Sequence, residues 1–197
     1  MRAAPVLLAL AALAAATPAA ADFSSCVAGL RAQAASQGIS GETFDAAFKG
    51  VTAEPKVIEL MNNQPEFKTP IWDYLAALTD DEKVADGKAA MRQYANALAS
   101  AESRYGVDRY AIAAVWGVES DFGKAGKKFY LPQALSTLVC MADRRQAYFR
   151  GELMSTLKIL QRGDLEAADL WGSWAGAFGH TQFMPSTYLR LAVDGDG

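Results

Sequence analysis

The chain has 197 residues, 51% of them hydrophobic, and carries 19 Lys and Arg against 22 Asp and Glu, for a net charge of −3. Charges of both signs are scattered along it, so no basic stripe argues for nucleic acid. One His and two widely separated Cys exclude a zinc ligand cluster.

The N-terminus sets the compartment. Arg2 precedes an apolar run from Val6 to Ala16, and Ala19-Ala20-Ala21 follows. That is the layout of a secretory signal with its small-residue cleavage site, so residues 1–21 are expected to be a signal peptide. Residues 22–197 are then one domain with a sizeable core. Cys26 follows Phe23-Ser24-Ser25, a poor context for lipid attachment. An oxidising compartment favours a Cys26–Cys140 disulfide over the alternative of two separate buried thiols.

The pattern after the signal is helical nearly throughout. Phe23, Val27, Leu30 and Ala34 recur every three to four residues, one face of a helix that Gly38 closes. Ser40 caps a second helix with Phe44 and Phe48 on it, ended by Gly50. Pro65 and Pro70 interrupt QPEFKTPIWDYL (64–75), which reads as an extended segment leading into a short helix. Thr79 and Glu82 have capping-box spacing, and one long helix is expected from there to Tyr105, with Val84, Lys88, Met91, Ala95 and Leu98 near one face. Gly106 stops it. Asp108 caps the next helix, on which Ile112, Val115, Trp116 and Glu119 share a face. Leu135–Val139 is a short apolar stretch. A long helix follows from Arg144 to Leu160, with Tyr148, Leu153, Leu157 and Leu160 as core contacts, and Gly163 ends it. Residues 171–188, WGSWAGAFGHTQFMPSTY, form a glycine-rich aromatic loop, after which Ser186 caps a last helix through Leu191. No run of alternating strands is present. The class is mainly α.

Glu119 is the residue that needs explaining. It is either the exposed end of its helix or an acid set on an apolar face. An apolar face, the neighbouring Trp116 and the closing helix terminus would all favour a carboxyl that keeps its proton. Such an acid is what glycosidic cleavage needs, because the leaving oxygen must be protonated. If the helix persists to Asp121, that residue lies about 200° further around its axis and is not a facing partner. A loop with Ser173, Trp174, His180, Thr181, Gln182 and Tyr188 offers hydroxyl, amide and aromatic groups suited to sugars, although a glycine-aromatic loop also serves structure alone. His180 and Ser173 do not form a hydrolase pair: Trp171-Gly172-Ser173-Trp174-Ala175 is not a nucleophile elbow, and no strand precedes it.

Together the segments 64–75, RYGVDRYAIAAVWGVESDFG (104–123), ALSTL (134–138), RRQAYFRGEL (144–153) and GSWAGAFGHTQFMPSTYLRLAVDGDG (172–197) resemble the lytic murein transglycosylases of the membrane-bound transglycosylase B type. The resemblance implies a lysozyme-like helical catalytic domain in the periplasm, acting as a monomer on peptidoglycan glycan strands. It implies non-hydrolytic cleavage between N-acetylmuramic acid and N-acetylglucosamine, with Glu119 as acid and then base for the C6 hydroxyl. It places Ser173 beside Glu119 and Gln182 on the sugar, with Tyr148 and Phe183 as groove wall. Gly179-His180-Thr181-Gln182 departs from the Tyr-Gly of some relatives. The chain also stops where the family continues, at Asp194-Gly195-Asp196-Gly197. Asp194 and Asp196 resemble the opening of a calcium loop, although two ligands also fit a plain acidic turn. No cofactor is expected to be required; calcium would belong to a longer form. A hydrolytic muramidase on the same fold and a non-catalytic peptidoglycan-binding module are the alternatives.

Overall fold

The computed structural model describes residues 18–64, 68–124 and 128–195, apart from the side chains of 18–21 and Ala77. It is mainly α. Ten helices and one two-stranded ladder are present among the described residues: α1 Pro18–Ser36, α2 Gly41–Phe48, α3 Pro55–Asn62, α4 Ile71–Leu78, α5 Asp81–Gln93, α6 Ala95–Tyr105, α7 Arg109–Ser120, α8 Leu131–Met141, α9 Gln146–Arg162 and α10 Pro185–Leu191. Strands β1 (Phe129–Tyr130) and β2 (Trp171–Gly172) pair antiparallel, with Tyr130 opposite Trp171. No helix among the described residues is long and apolar enough to cross a membrane.

The core is built around α8. Leu131, Leu135 and Leu138 have no exposed surface, each contributing about 2 kcal/mol of burial. Only a short apolar stretch was expected here; the helix runs over Leu131–Met141, with Ser136 and Thr137 buried beside its leucines. Helices α1, α3 and α9 pack on it, and α10 packs on α9. Phe23, Leu30 and Ala34 of α1 are buried, as their spacing predicts. The expected Cys26–Cys140 bridge joins α1 to α8 across 114 residues, with Cα atoms 5.9 Å apart. Residues 1–17 of the expected signal lie outside the described residues, and α1 runs across the expected cleavage point after Ala21.

Capping explains most helix starts. Ser40 accepts from the Thr43 amide, and Asp108 accepts from Tyr110 and Ala111. Three expectations are corrected. The cap of α5 is Asp80, whose carboxylate accepts from the Lys83 amide at 2.7 Å, not Thr79. The single long helix to Tyr105 is two, α5 and α6, broken at Tyr94, which turns its ring edge-on to Trp116 with centroids 5.2 Å apart. Of the face expected there, Leu98 is buried and Val84 is exposed. Ser186 is not the cap of α10: Met184 holds that position, with Pro185 at the first turn. The helix α3, capped by Glu54 with Pro55 in its first turn, adds to the expected elements. Residues 65–67 of the expected extended segment lie outside the described residues.

Candidate active site

Helix α7 brings Glu119 to the site. It packs on α5 and α6 through Ala113, Gly117 and Ser120, its buried stripe. The face read from the sequence, with Ile112, Val115, Trp116 and Glu119, is a different one. Val115 is 54% exposed and Glu119 is exposed as well. The covered side of α7 is the one the Phe122 ring presses on: a Cβ on Gly117 of α7 would stand 2.5 Å from that ring and one on Gly87 of α5 would stand 3.0 Å from it, so only glycine fits at either place.

The end of α7 is tightly specified. Asp121 caps it in the left-handed region at φ 51°, and Phe122 follows at φ 54°. Ser120 donates to the Trp116 carbonyl and accepts from the Gly123 amide at 3.0 Å. Asp121 lies 3.7 Å from Lys83 of α5 and is not among the residues lining the cavity of Glu119; α7 ends at Ser120, so the helical spacing does not extend to it. Non-glycine residues in this backbone region are strained, and strain of this kind collects at functional sites. Gln182, across the cavity, is a third at φ 48°.

Glu119 lines a cavity of about 650 Å³ together with Ser173, Gln182, Phe183, His180 and Trp171. Among the described residues its carboxyl makes no hydrogen bond and no ion pair. The opposite wall is the glycine-rich loop. Its backbone closes on itself: the Ser173 amide donates to Ala177 at 2.7 Å, and Phe178 donates to Phe183 at 2.9 Å. Glycine is required at Gly172, where a Cβ would meet the Ala177 carbonyl at 2.2 Å, and at Gly176, which has φ +100° and presses on Leu135.

The Ser173 hydroxyl accepts from the Ala177 amide at 3.0 Å; it does not bond Glu119 here, and its own hydrogen has no acceptor among the described residues. The Gln182 amide donates to the Gly179 carbonyl at 2.8 Å, which leaves its oxygen to accept from a ligand. Tyr148 is not among the residues lining this cavity. It stands on the first turn of α9, 40% exposed, not in the core as expected, with the Arg145 guanidinium 4.5 Å over its ring. Burial, and then the nearby Glu152 carboxylate, push its hydroxyl above the ordinary tyrosine range against an opposing pull from Arg145.

Two residues outside the sequence reading line the site, and a third anchors its loop. Lys128 and Asp169 line the cavity; Asp169 ends a single 3-10 turn, Ala167–Asp169, and Lys128 directly precedes β1. Glu152, only 4% exposed, accepts from the Ser186 amide at 2.9 Å and from its hydroxyl at 2.7 Å. A carboxylate from α9 thus caps α10 from outside the helix and anchors the far end of the loop. The clue was a charged residue amid the apolar positions of α9. Asp194 is exposed and Asp196 lies outside the described residues. No group of three or more His, Cys, Asp or Glu that could hold a metal occurs among the described residues.

The transglycosylase SLT domain family matches residues 22–197. The membrane-bound lytic murein transglycosylase B of Escherichia coli (strain K12) is 36% identical over 152 residues, covering 72% of this chain and 42% of its own. The crystal structure of SltB3 from Pseudomonas aeruginosa, in complex with NAG-NAM-pentapeptide, superposes with a TM-score of 0.85 and 42% identity over 89% of this chain and 46% of that one. The Escherichia coli lytic transglycosylase Slt35 in complex with calcium gives a TM-score of 0.75 and 31% identity over 89% of this chain and 56% of its own. The mainly α, lysozyme-like fold expected from the sequence agrees with these relatives. The chain spans about half the length of the relatives it matches.

Proposed function

Because the chain belongs to the transglycosylase SLT domain family, we propose that it is a lytic transglycosylase. It cuts peptidoglycan glycan strands between N-acetylmuramic acid and N-acetylglucosamine without water. One observation carries this reading: Glu119 stands in a groove facing hydroxyl, amide and aromatic groups, while Asp121 is turned away to Lys83. The carboxyl of Glu119 gives its proton to the glycosidic oxygen as the C1–O bond breaks. The resulting carboxylate takes the proton of the muramic acid C6 hydroxyl, whose oxygen bonds C1 and closes a 1,6-anhydro ring. The nucleophile comes from the substrate, so no second carboxylate is required. Ser173 donates its hydroxyl hydrogen toward Glu119 or the sugar. Gln182 accepts from a sugar hydroxyl, Phe183 packs on the glycan, and Tyr148 forms an outer wall.

The muropeptide bound to SltB3 supports a glycan with its peptide stem as the ligand class. The protein works in the periplasm as a monomer, a reading supported by the membrane-bound lytic murein transglycosylase B of Escherichia coli among its relatives. Slt35 binds calcium; no step here runs through a metal. Asp169, in the same cavity, favours a second reading, a hydrolytic muramidase in which that carboxylate activates water.

Mass spectrometry of soluble products from purified Asp22–Gly197 with sacculi separates the two. Products ending in 1,6-anhydromuramic acid support the transglycosylase, and reducing ends alone support the muramidase. Glu119→Gln should bind sacculi and release nothing. If wild type and variant both bind and neither cleaves, the chain is a binding module.

A further inference from the structure

The Trp116 indole Nε1 donates to His180 Nδ1 at 3.0 Å, and the two rings stack with centroids 5.6 Å apart at 27°. This contact spans 64 residues of sequence and joins the two halves of the site. Trp116 sits one turn before Glu119 on α7; His180 sits two residues before Gln182 on the loop. An indole N–H is a donor only, so Nδ1 must carry a lone pair and the ring proton must be on Nε2. The ring is also wedged against the backbone. A Cβ on Gly123 would stand 2.5 Å from His180 Cε1, which makes glycine obligatory at Gly123 for a second reason besides its φ of +84°. Phe122 and Tyr94 meet Trp116 edge-on at 5.5 and 5.2 Å. The indole is thus held on three sides, and its N–H is aimed at the imidazole.

We propose that His180 is a positioning residue for the reaction: through Trp116 it latches the end of α7, which presents Glu119, to the loop that presents Gln182. Neither element is otherwise bonded to the other by a hydrogen bond among the described residues. This rests on the proposed transglycosylase reading for its effect on turnover, but the latch is a property of the folded chain. A loss of register between acid and sugar-binding group lowers the chemical step far more than it lowers binding.

The test uses three variants of the whole chain. His180→Asn places an amide oxygen where Nδ1 stands and keeps the acceptor. His180→Phe keeps a ring for stacking and removes the acceptor. Trp116→Phe removes the donor. In NMR, the Trp116 indole N–H, identified by its absence in Trp116→Phe, should keep its shift and slow exchange in His180→Asn and lose both in His180→Phe. Amide exchange at residues 119–123 should rise only in the variants without the bond. On soluble glycan strands, kcat should fall roughly ten- to hundredfold in His180→Phe and in Trp116→Phe, with KM nearly unchanged, and recover in His180→Asn. The double variant should be no worse than either single one. An indole signal and amide exchange that do not change in His180→Phe overturn the latch. Equal loss of kcat in His180→Asn and His180→Phe overturns the positioning role. If the wild-type chain forms no product, the functional reading fails, and the NMR comparison still decides the latch.

Discussion

Replacing Glu152 with Ala removes the carboxylate that ties α9 to the start of α10. Glu152 is 4% exposed and receives two hydrogen bonds from Ser186, at 2.9 and 2.7 Å. Hydrogen bonds to a charged group contribute about 1.5–3 kcal/mol each. Truncation also strands the Ser186 amide at a helix start, where intrahelical partners do not exist. The expected loss is about 3–5 kcal/mol, which for a domain of this size lowers Tm by roughly 10 °C. Ser186→Ala keeps the amide bond and loses the hydroxyl bond, so it should cost about a third to a half as much. The double variant should cost hardly more than Glu152→Ala alone, because both act through one contact. Urea unfolding of the four proteins measures all of this. A loss below about 1 kcal/mol for Glu152→Ala, or additive losses in the double variant, would refute the capping argument.

Three further outcomes follow. Reducing the Cys26–Cys140 bridge, which closes 114 residues, should cost about 4–5 kcal/mol by chain entropy; a thermal melt with and without reductant checks it. Gly117→Ala puts a methyl 2.5 Å from Phe122 and should destabilise by about 1–3 kcal/mol, with the Trp116 fluorescence changed; an unaltered melt would mean that Phe122 moves aside freely. Glu102 of α6 accepts from the Arg109 backbone amide at 3.0 Å and side chain at 2.8 Å at the start of α7, and these hydrogen bonds hold its carboxyl below the usual range. A depressed folded-state pKa stabilises above the unfolded value and is lost as pH falls through the folded one. Acid should therefore lower Tm more in wild type than in Glu102→Gln; parallel curves would contradict this.

Local signals carried well into the structure. The caps at Ser40 and Asp108, the stops at Gly106 and Gly163, and the face of α1 all act within one or two turns, so neighbours in sequence decide them. The disulfide was legible from compartment and cysteine number. Glu119, Ser173 and Gln182 stood out by residue type and by the family resemblance, Phe183 by the resemblance alone, and the fold brings all four to one cavity. Tyr148 was named with them and does not line that cavity; its ring meets Arg145 and Phe149 instead.

Other features had no local signature. The break at Tyr94 coincides with a contact of its ring with Trp116, a partner 22 residues away in sequence. The buried stripe of α7 runs through Ala113, Gly117 and Ser120, because α5 packs on this helix and the Phe122 ring leaves no room for a Cβ on Gly117. The cap of α10 comes from Glu152, 34 residues before Ser186, and Asp169 reaches the cavity from a short turn. Residue type and short-range spacing set which groups are available and where helices begin and end. Long-range packing sets which face is covered, and hence that Glu119 is presented to a groove and not enclosed in the core.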